Sequence, residues 1–320
     1  MLESANTTHT ETIAGPAGGV AAIAVEEPPE EVFRKRRIGV MAWVAIAWLT
    51  IVLLAAILAP VLPLKDPING YDYAHTKAGM FTAGHVFGTD DTGNDVLSRV
   101  VWGAQASMLI AIGSIVFGLI VGGFLGLVAG YRGGKTDTVL TAFFNIFLAF
   151  PQLVLALTLV AVLARSASGG GGGPTWGRRI FVVILAVGIV SVPILGRITR
   201  ANALAWSQRE FVMAARAQGA SSMRVMFREV LPNVLPAMLS IALLGVAVVI
   251  TLEGALALFG LSVPAPNPSW GNMIYSQLSA LDEAPTVWMV PSALIFLSVL
   301  SFNYLGDVVR SRFDVREGAL

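Results

Sequence analysis

The residues that could do chemistry are few. The chain has no cysteine and only three histidines, His9, His75 and His85. Without thiols there is no disulfide, zinc–thiolate site, iron–sulfur cluster or cysteine nucleophile. No HExxH pattern is present, and no pair of aspartates falls within an apolar stretch, as an intramembrane aspartyl protease needs. Gly133-Gly-Lys-Thr136 looks like the end of a phosphate-binding loop. The full motif needs a glycine five residues before Gly134, where Ala129 stands, and no strand precedes it. No catalytic residue, metal or cofactor of its own is expected in this chain.

The other notable residues are mechanical. Gly118, Gly122, Gly126 and Gly130 repeat at intervals of four, and each pair is a GxxxG that lets helix backbones approach closely in lipid. The contact is static or sliding, with another span or with a partner. Pro151 and Pro193 lie inside apolar stretches, where they are expected to kink helices and can shape a pathway. Glu253 has two readings: an acid at membrane depth, which marks function, or an acid at the interface, which costs little. Glu210-Phe-Val-Met-Ala-Ala-Arg-Ala-Gln-Gly219 reads as a short helix. Ala214, Ala215 and Ala217 favour it, and Gly219 fits its C-terminal turn. A second helical run, Ser221–Val230, follows, and Leu231-Pro232 stands near the start of the next span. The small face lets another protein approach closely. Alternatively, Arg216, Arg224 and Arg228 hold an ordinary amphipathic connector at the lipid interface.

The elements that must position these residues follow from composition. Of 320 residues, 55% are hydrophobic and 13% charged, with mean hydropathy +0.74. Soluble domains carry about 25% charged residues, so a soluble enzyme and a disordered chain are excluded. Twenty-one basic against 20 acidic residues leave no surplus for nucleic acid. The fold expected is all-α and membrane-spanning. Charge-free stretches predict six spans: Ile38–Leu64, Val100–Tyr131, Thr138–Ala164, Ile180–Gly196, Val230–Leu252 and Ala284–Gly306. The proline-rich stretch Gly254–Leu281 is read as a loop.

Fifteen basic residues fall inside and six outside if both termini are cytoplasmic. Arg178 and Arg179 run against that rule. Six arginines sit in the single inner loop, residues 197–229. Residues 1–33 read as a disordered acidic tail. Residues 34–99 hold the first span and an extracytoplasmic segment, 100–307 the other five spans, and 308–320 a cytoplasmic tail. Ser168–Pro174, with five consecutive glycines, reads as a flexible loop.

The frame Ala214-Ala215, Gly219, Leu231-Pro232 resembles the EAA loop of ABC-importer permeases, with Met213 where the broader motif has glutamate. Phe87-Gly-Thr-Asp-Asp-Thr-Gly-Asn-Asp-Val-Leu-Ser-Arg99 resembles the segment before the second span in C-type permeases of dipeptide, oligopeptide and nickel importers. There Asn94 replaces the usual arginine. Ala149-Phe-Pro151, the run Glu253–Leu261 with Pro268-Ser-Trp-Gly271, and Phe302–Asp307 follow in the family's order.

The resemblance implies the transmembrane fold of type I ABC importers. It implies a permease of di- or oligopeptides in a prokaryotic cytoplasmic membrane. Nickel, opines or glutathione are alternative cargoes, and a secondary transporter or channel is the alternative class. It implies that Glu210–Gly219, including Arg216, forms a coupling helix seated on an ATPase. The implied partners are a second, B-type permease, two ATPase subunits or one fused ATPase that use the ATP, an extracytoplasmic binding protein and membrane lipid.

Overall fold

The computed structural model describes residues 39–82, 84–167, 175–278 and 283–317. The tail 1–33, the basic cluster 34–37 and the glycine loop 168–174 lie outside the described residues. In chain order the helices are α1 (Val40–Leu58), α2 (Val96–Arg132), α3 (Gly134–Leu148), α4 (Gln152–Ala167), α5 (Trp176–Ser207), α6 (Glu210–Ala217) and α7 (Ser222–Val225). They continue with α8 (Leu231–Leu258), α9 (Trp270–Ser276) and α10 (Pro285–Glu317). Among the described residues there is no strand, only two isolated bridges.

Among the described residues five helical stretches are long and apolar enough to cross a membrane: α1, α2, α5, the run from α7 through α8, and α10. α3 and α4 make a sixth only as a pair, bent by 90°. The expected third span is therefore broken rather than kinked, and the break is at Pro151. Proline cannot donate to the preceding turn and pushes the residue before it out of the helical region. α3 closes on itself there, with the Ala149 amide donating to the Asn145 carbonyl at 3.0 Å. Pro193, by contrast, lies within α5, which runs on past it.

The fourth span is twice as long as its charge-free core. α5 takes in Arg178 and Arg179 at one end and Arg197 and Arg200 at the other, so the expected loop 197–229 begins inside a helix. The stretch after Leu252 is not all loop either. α8 carries Glu253 within its last turns, and α9 follows, N-capped by Ser269, whose hydroxyl accepts from the Asn272 amide at 3.1 Å. α10 runs past the expected end at Gly306 to Glu317. Charges stop a hydropathy search sooner than they stop a helix.

α5 is the most buried span, and α2 packs along it. Gly118, Gly122, Gly126 and Gly130 of α2 form this seam. A Cβ on Gly122, Gly126 or Gly130 would overlap the carbonyl oxygens of Val192, Gly196 and Arg200 in turn. Both sets step by four residues, so two helical faces meet backbone to backbone. Gly118 meets Ser191, where an added Cβ would stand 2.8 Å from the serine Cβ. The glycine contact is thus internal to the chain.

Candidate functional site

One end of the bundle carries α6. Its C-terminus is closed by a Schellman turn: the Gly219 amide donates to the Arg216 carbonyl at 3.0 Å and the Ala220 amide to the Ala215 carbonyl at 3.1 Å. Gly219 adopts φ +82°, a left-handed conformation that glycine takes without penalty. Val212 is fully buried and Ala215 half-buried, over a cluster that includes Leu127 of α2, Ala203 of α5 and Val230 and Val234 at the base of α8. Arg216 stacks on the ring of Tyr131, in the last turn of α2, at 5.0 Å. α6 therefore sits on α7 and the π turn that leads into α8, with side-chain contacts to Tyr131 of α2 and Trp206 of α5.

The other face of α6 is open. Phe211 and Met213 are exposed, and so are Ala214, Met223 and Phe227, with Arg209, Glu210, Arg224 and Arg228 around them. Leu231 and Pro232 open α8, directly after a π turn at Met226–Val230. Pro232 would press its ring on the carbonyl four residues back in a regular helix. The wider turn relieves this, and the Asn233 amide group donates to the Glu229 carbonyl at 2.6 Å.

A charge pair joins α3 to α5. Arg200 of α5 holds Asp137 of α3 through both oxygens: Nε donates to Oδ1, and Nη2 to Oδ2 at 2.6 Å. Phe144 of α3 presses its ring against Gly196 of α5. Gly196 and Arg200 share one helical face of α5, and that face meets α3. Gly133 and Gly134, the supposed phosphate loop, make the left-handed turn between α2 and α3.

The opposite end of the bundle carries a folded polar cap, Lys65–Asp95. Its motif residues are structural. The Thr89 hydroxyl accepts from the Ala78 amide at 2.9 Å, and a Cβ on Gly88 would strike the Ala78 carbonyl. Asp95 N-caps α2 by accepting from the Ser98 amide at 2.8 Å, and its other oxygen meets Nδ1 of the fully buried His85 at 2.8 Å. Asn94 packs against Asp90, where its amide donates at 3.2 Å. Asp66 accepts from the amides of Asn69 and Ile68, which hold its carboxyl below the usual carboxylate range. Among the described residues no cluster of three or more His, Asp or Glu is arranged to hold a metal.

Glu253 lies at this same end and is fully buried. Its carboxylate accepts from the hydroxyls of Ser262, Ser269 (2.9 Å) and Ser107 (3.2 Å). Pro151 lies at the α3–α4 break and Pro193 mid-way along α5, so neither prominent proline is near it in sequence.

Comparison with known proteins joins these features. Residues 122–317 match the family described as the binding-protein-dependent transport system inner membrane component. The dipeptide transport system permease protein DppC of Alkalihalophilus pseudofirmus is 35% identical over 90% of this chain and 90% of its own length. The di/tripeptide transport system permease protein DppC of Pseudomonas aeruginosa is 34% identical over 83% of this chain and 85% of its own. The glutathione transport system permease protein GsiD of Pectobacterium atrosepticum is 33% identical over 84% and 85%. Among solved structures, the MetNI methionine ABC transporter in an inward-facing conformation matches with a TM-score of 0.53 at 21% identity. That match covers 67% of this chain and 96% of the other. It is a likeness of fold.

Proposed function

The chain belongs to the family of inner membrane components of binding-protein-dependent transport systems, and from that premise we propose that it imports di- and oligopeptides. As a member it is a multi-pass inner-membrane permease subunit of an ABC importer and not an enzyme, with ATP hydrolysis on separate subunits. The peptide cargo is supported by the relatives named for dipeptides and di/tripeptides. The relative named for glutathione supports a second cargo, itself a small peptide.

The observation that carries the mechanism is the seating of α6. It is short, closed at Gly219, seated on the π turn that leads into α8 with contacts to α2 and α5, and open on one apolar face rimmed by arginines. We read it as the coupling helix, with Glu210, Ala214, Ala215, Arg216 and Gly219 forming or shaping the surface that meets an ATPase. Leu231 and Pro232 hand its displacement to α8. The α6 end then faces the cytoplasm, with both termini, and the Lys65–Asp95 cap faces outward. A second permease completes the pathway, and an extracytoplasmic binding protein delivers the peptide. The 90° break at Pro151 is the hinge between the two halves of the third span.

The test is reconstitution. The permease pair with its ATPases and peptide-loaded binding protein should accumulate labelled dipeptide only with ATP. Flux with the ATPases removed would sink this reading and favour a channel. Uptake competed by glutathione but not by dipeptides would reassign the cargo.

A further inference from the structure

Glu253 is a fully buried acid that the coupling mechanism does not use. Among the described residues no lysine or arginine forms an ion pair with it. Burying a carboxylate is costly unless donors surround it. Three hydroxyls do so, and the Gly271 amide also donates to it.

These donors come from two segments of the chain. Ser262, Ser269 and Gly271 belong with Glu253 to the continuous stretch of α8, the following loop and α9. Ser107 belongs to α2. Ser107 works in both directions, donating to Glu253 at 3.2 Å and accepting from the Trp270 amide at 3.1 Å. The fully buried indole of Trp270 donates to the Val100 carbonyl of α2 at 3.0 Å. Arg179 of α5 donates to the Ser262 carbonyl at 3.2 Å. Four hydrogen bonds thus cross from the α2–α5 pair to the α8–α9 unit at the cap end. This contact also gives Arg179 a place outside the positive-inside pattern, because its guanidinium serves the seam.

The geometry points to Glu253 as the positioning residue of an outer latch. It seats the loop and α9 against α2 while the outer end of the half-pathway is closed, and the Ser107 and Arg179 bonds part when that end opens. The inference rests on the permease reading and on its orientation. α2 and α5 carry α6 at their other end, so the latch and the ATPases act on one equilibrium. If ATP binding opens the outer end through α6, a latch that favours the outer-closed state opposes it, and the effect is reciprocal.

The direction of the expected effect separates a latch from a scaffold. Ser107→Ala removes two of the four crossing bonds and leaves Glu253 its other donors. Glu253→Gln weakens the acceptor at the centre. Both variants are compared with wild type as the assembled permease–ATPase complex in lipid nanodiscs. The readout is ATP hydrolysis with and without peptide-loaded binding protein.

The latch requires basal hydrolysis to rise, by about fivefold for each hydrogen bond lost, and the stimulation ratio to fall. Basal hydrolysis at or below the wild-type rate in assembled Ser107→Ala complex overturns the proposal. If Glu253→Gln fails to assemble, Ser107→Ala decides alone. A wild-type complex that no peptide-loaded binding protein stimulates would instead count against the peptide reading. The basal rates would still test the latch.

Discussion

A Cβ added at Gly219 would have no heavy atom within 4 Å, yet the residue sets where α6 ends. Its φ of +82° is the whole constraint. For a residue with a side chain that conformation costs roughly 1–2 kcal/mol, and for asparagine less. Gly219→Val should therefore fray the end of α6 without disturbing the bundle. Gly219→Asn should keep it. Hydrogen exchange at the Gly219 and Ala220 amides, which close the turn, should rise for valine alone. Co-purification of the ATPases should fall with it. Equal exchange in both variants would remove the turn as the cause.

Whole helices depend on groups of this kind acting together. The α2–α5 seam admits no side chain at Gly126, whose Cβ would overlap the Gly196 carbonyl. Gly126→Ala should destabilise the protein by about 1–3 kcal/mol, as overpacking does. Gly254, in α8 with open space beside it, is the control, and Gly254→Ala should be neutral or gain up to about 1 kcal/mol. Thermal unfolding in one detergent gives both values. The Asp137–Arg200 pair fixes α3 to α5, so Arg200→Lys should fail to replace it, because an ammonium cannot match the bidentate fork. Asp137→Arg and Arg200→Asp should each lower uptake, and the double reversal should recover part of it. No recovery would mean that the pairing is not what matters.

How much of this was legible in the sequence depended on the kind of signal. The helix of Glu210–Ala217 and its glycine stop could be read, because propensity and capping are local. So could the glycine repeat, though not its partner face, because Val192 and Arg200 do not advertise a groove. At Pro151 the sequence predicts a kink where the chain breaks, since proline's effect depends on what packs around it. The surroundings of Glu253 were unreadable, because Ser107, Ser262 and Ser269 meet only after folding.

At the scale of the molecule, one helix reaches both working ends. α2 has 37 residues and so spans about 55 Å, against about 30 Å of hydrocarbon. It must project from the membrane. At one end Asp95 roots it in the polar cap, and at the other Tyr131 receives Arg216 of α6. Locked to α5 along its glycines, it is a rod that joins the two faces. The distribution of basic residues predicts which face is which. The α6 end, residues 197–229, carries six arginines, whereas the cap carries only Lys65 and Lys77. Positive loops stay in the cytoplasm, so the cap should be outside. The absence of cysteine makes this directly measurable. Tyr73→Cys in the cap and Met223→Cys beside α6 are both well exposed, at 78% and 53% for the native side chains. In intact spheroplasts a membrane-impermeant maleimide should label position 73 and spare position 223. In inside-out vesicles the pattern should reverse. Labelling of position 223 from outside would invert the molecule, and α6 could then no longer meet an ATPase.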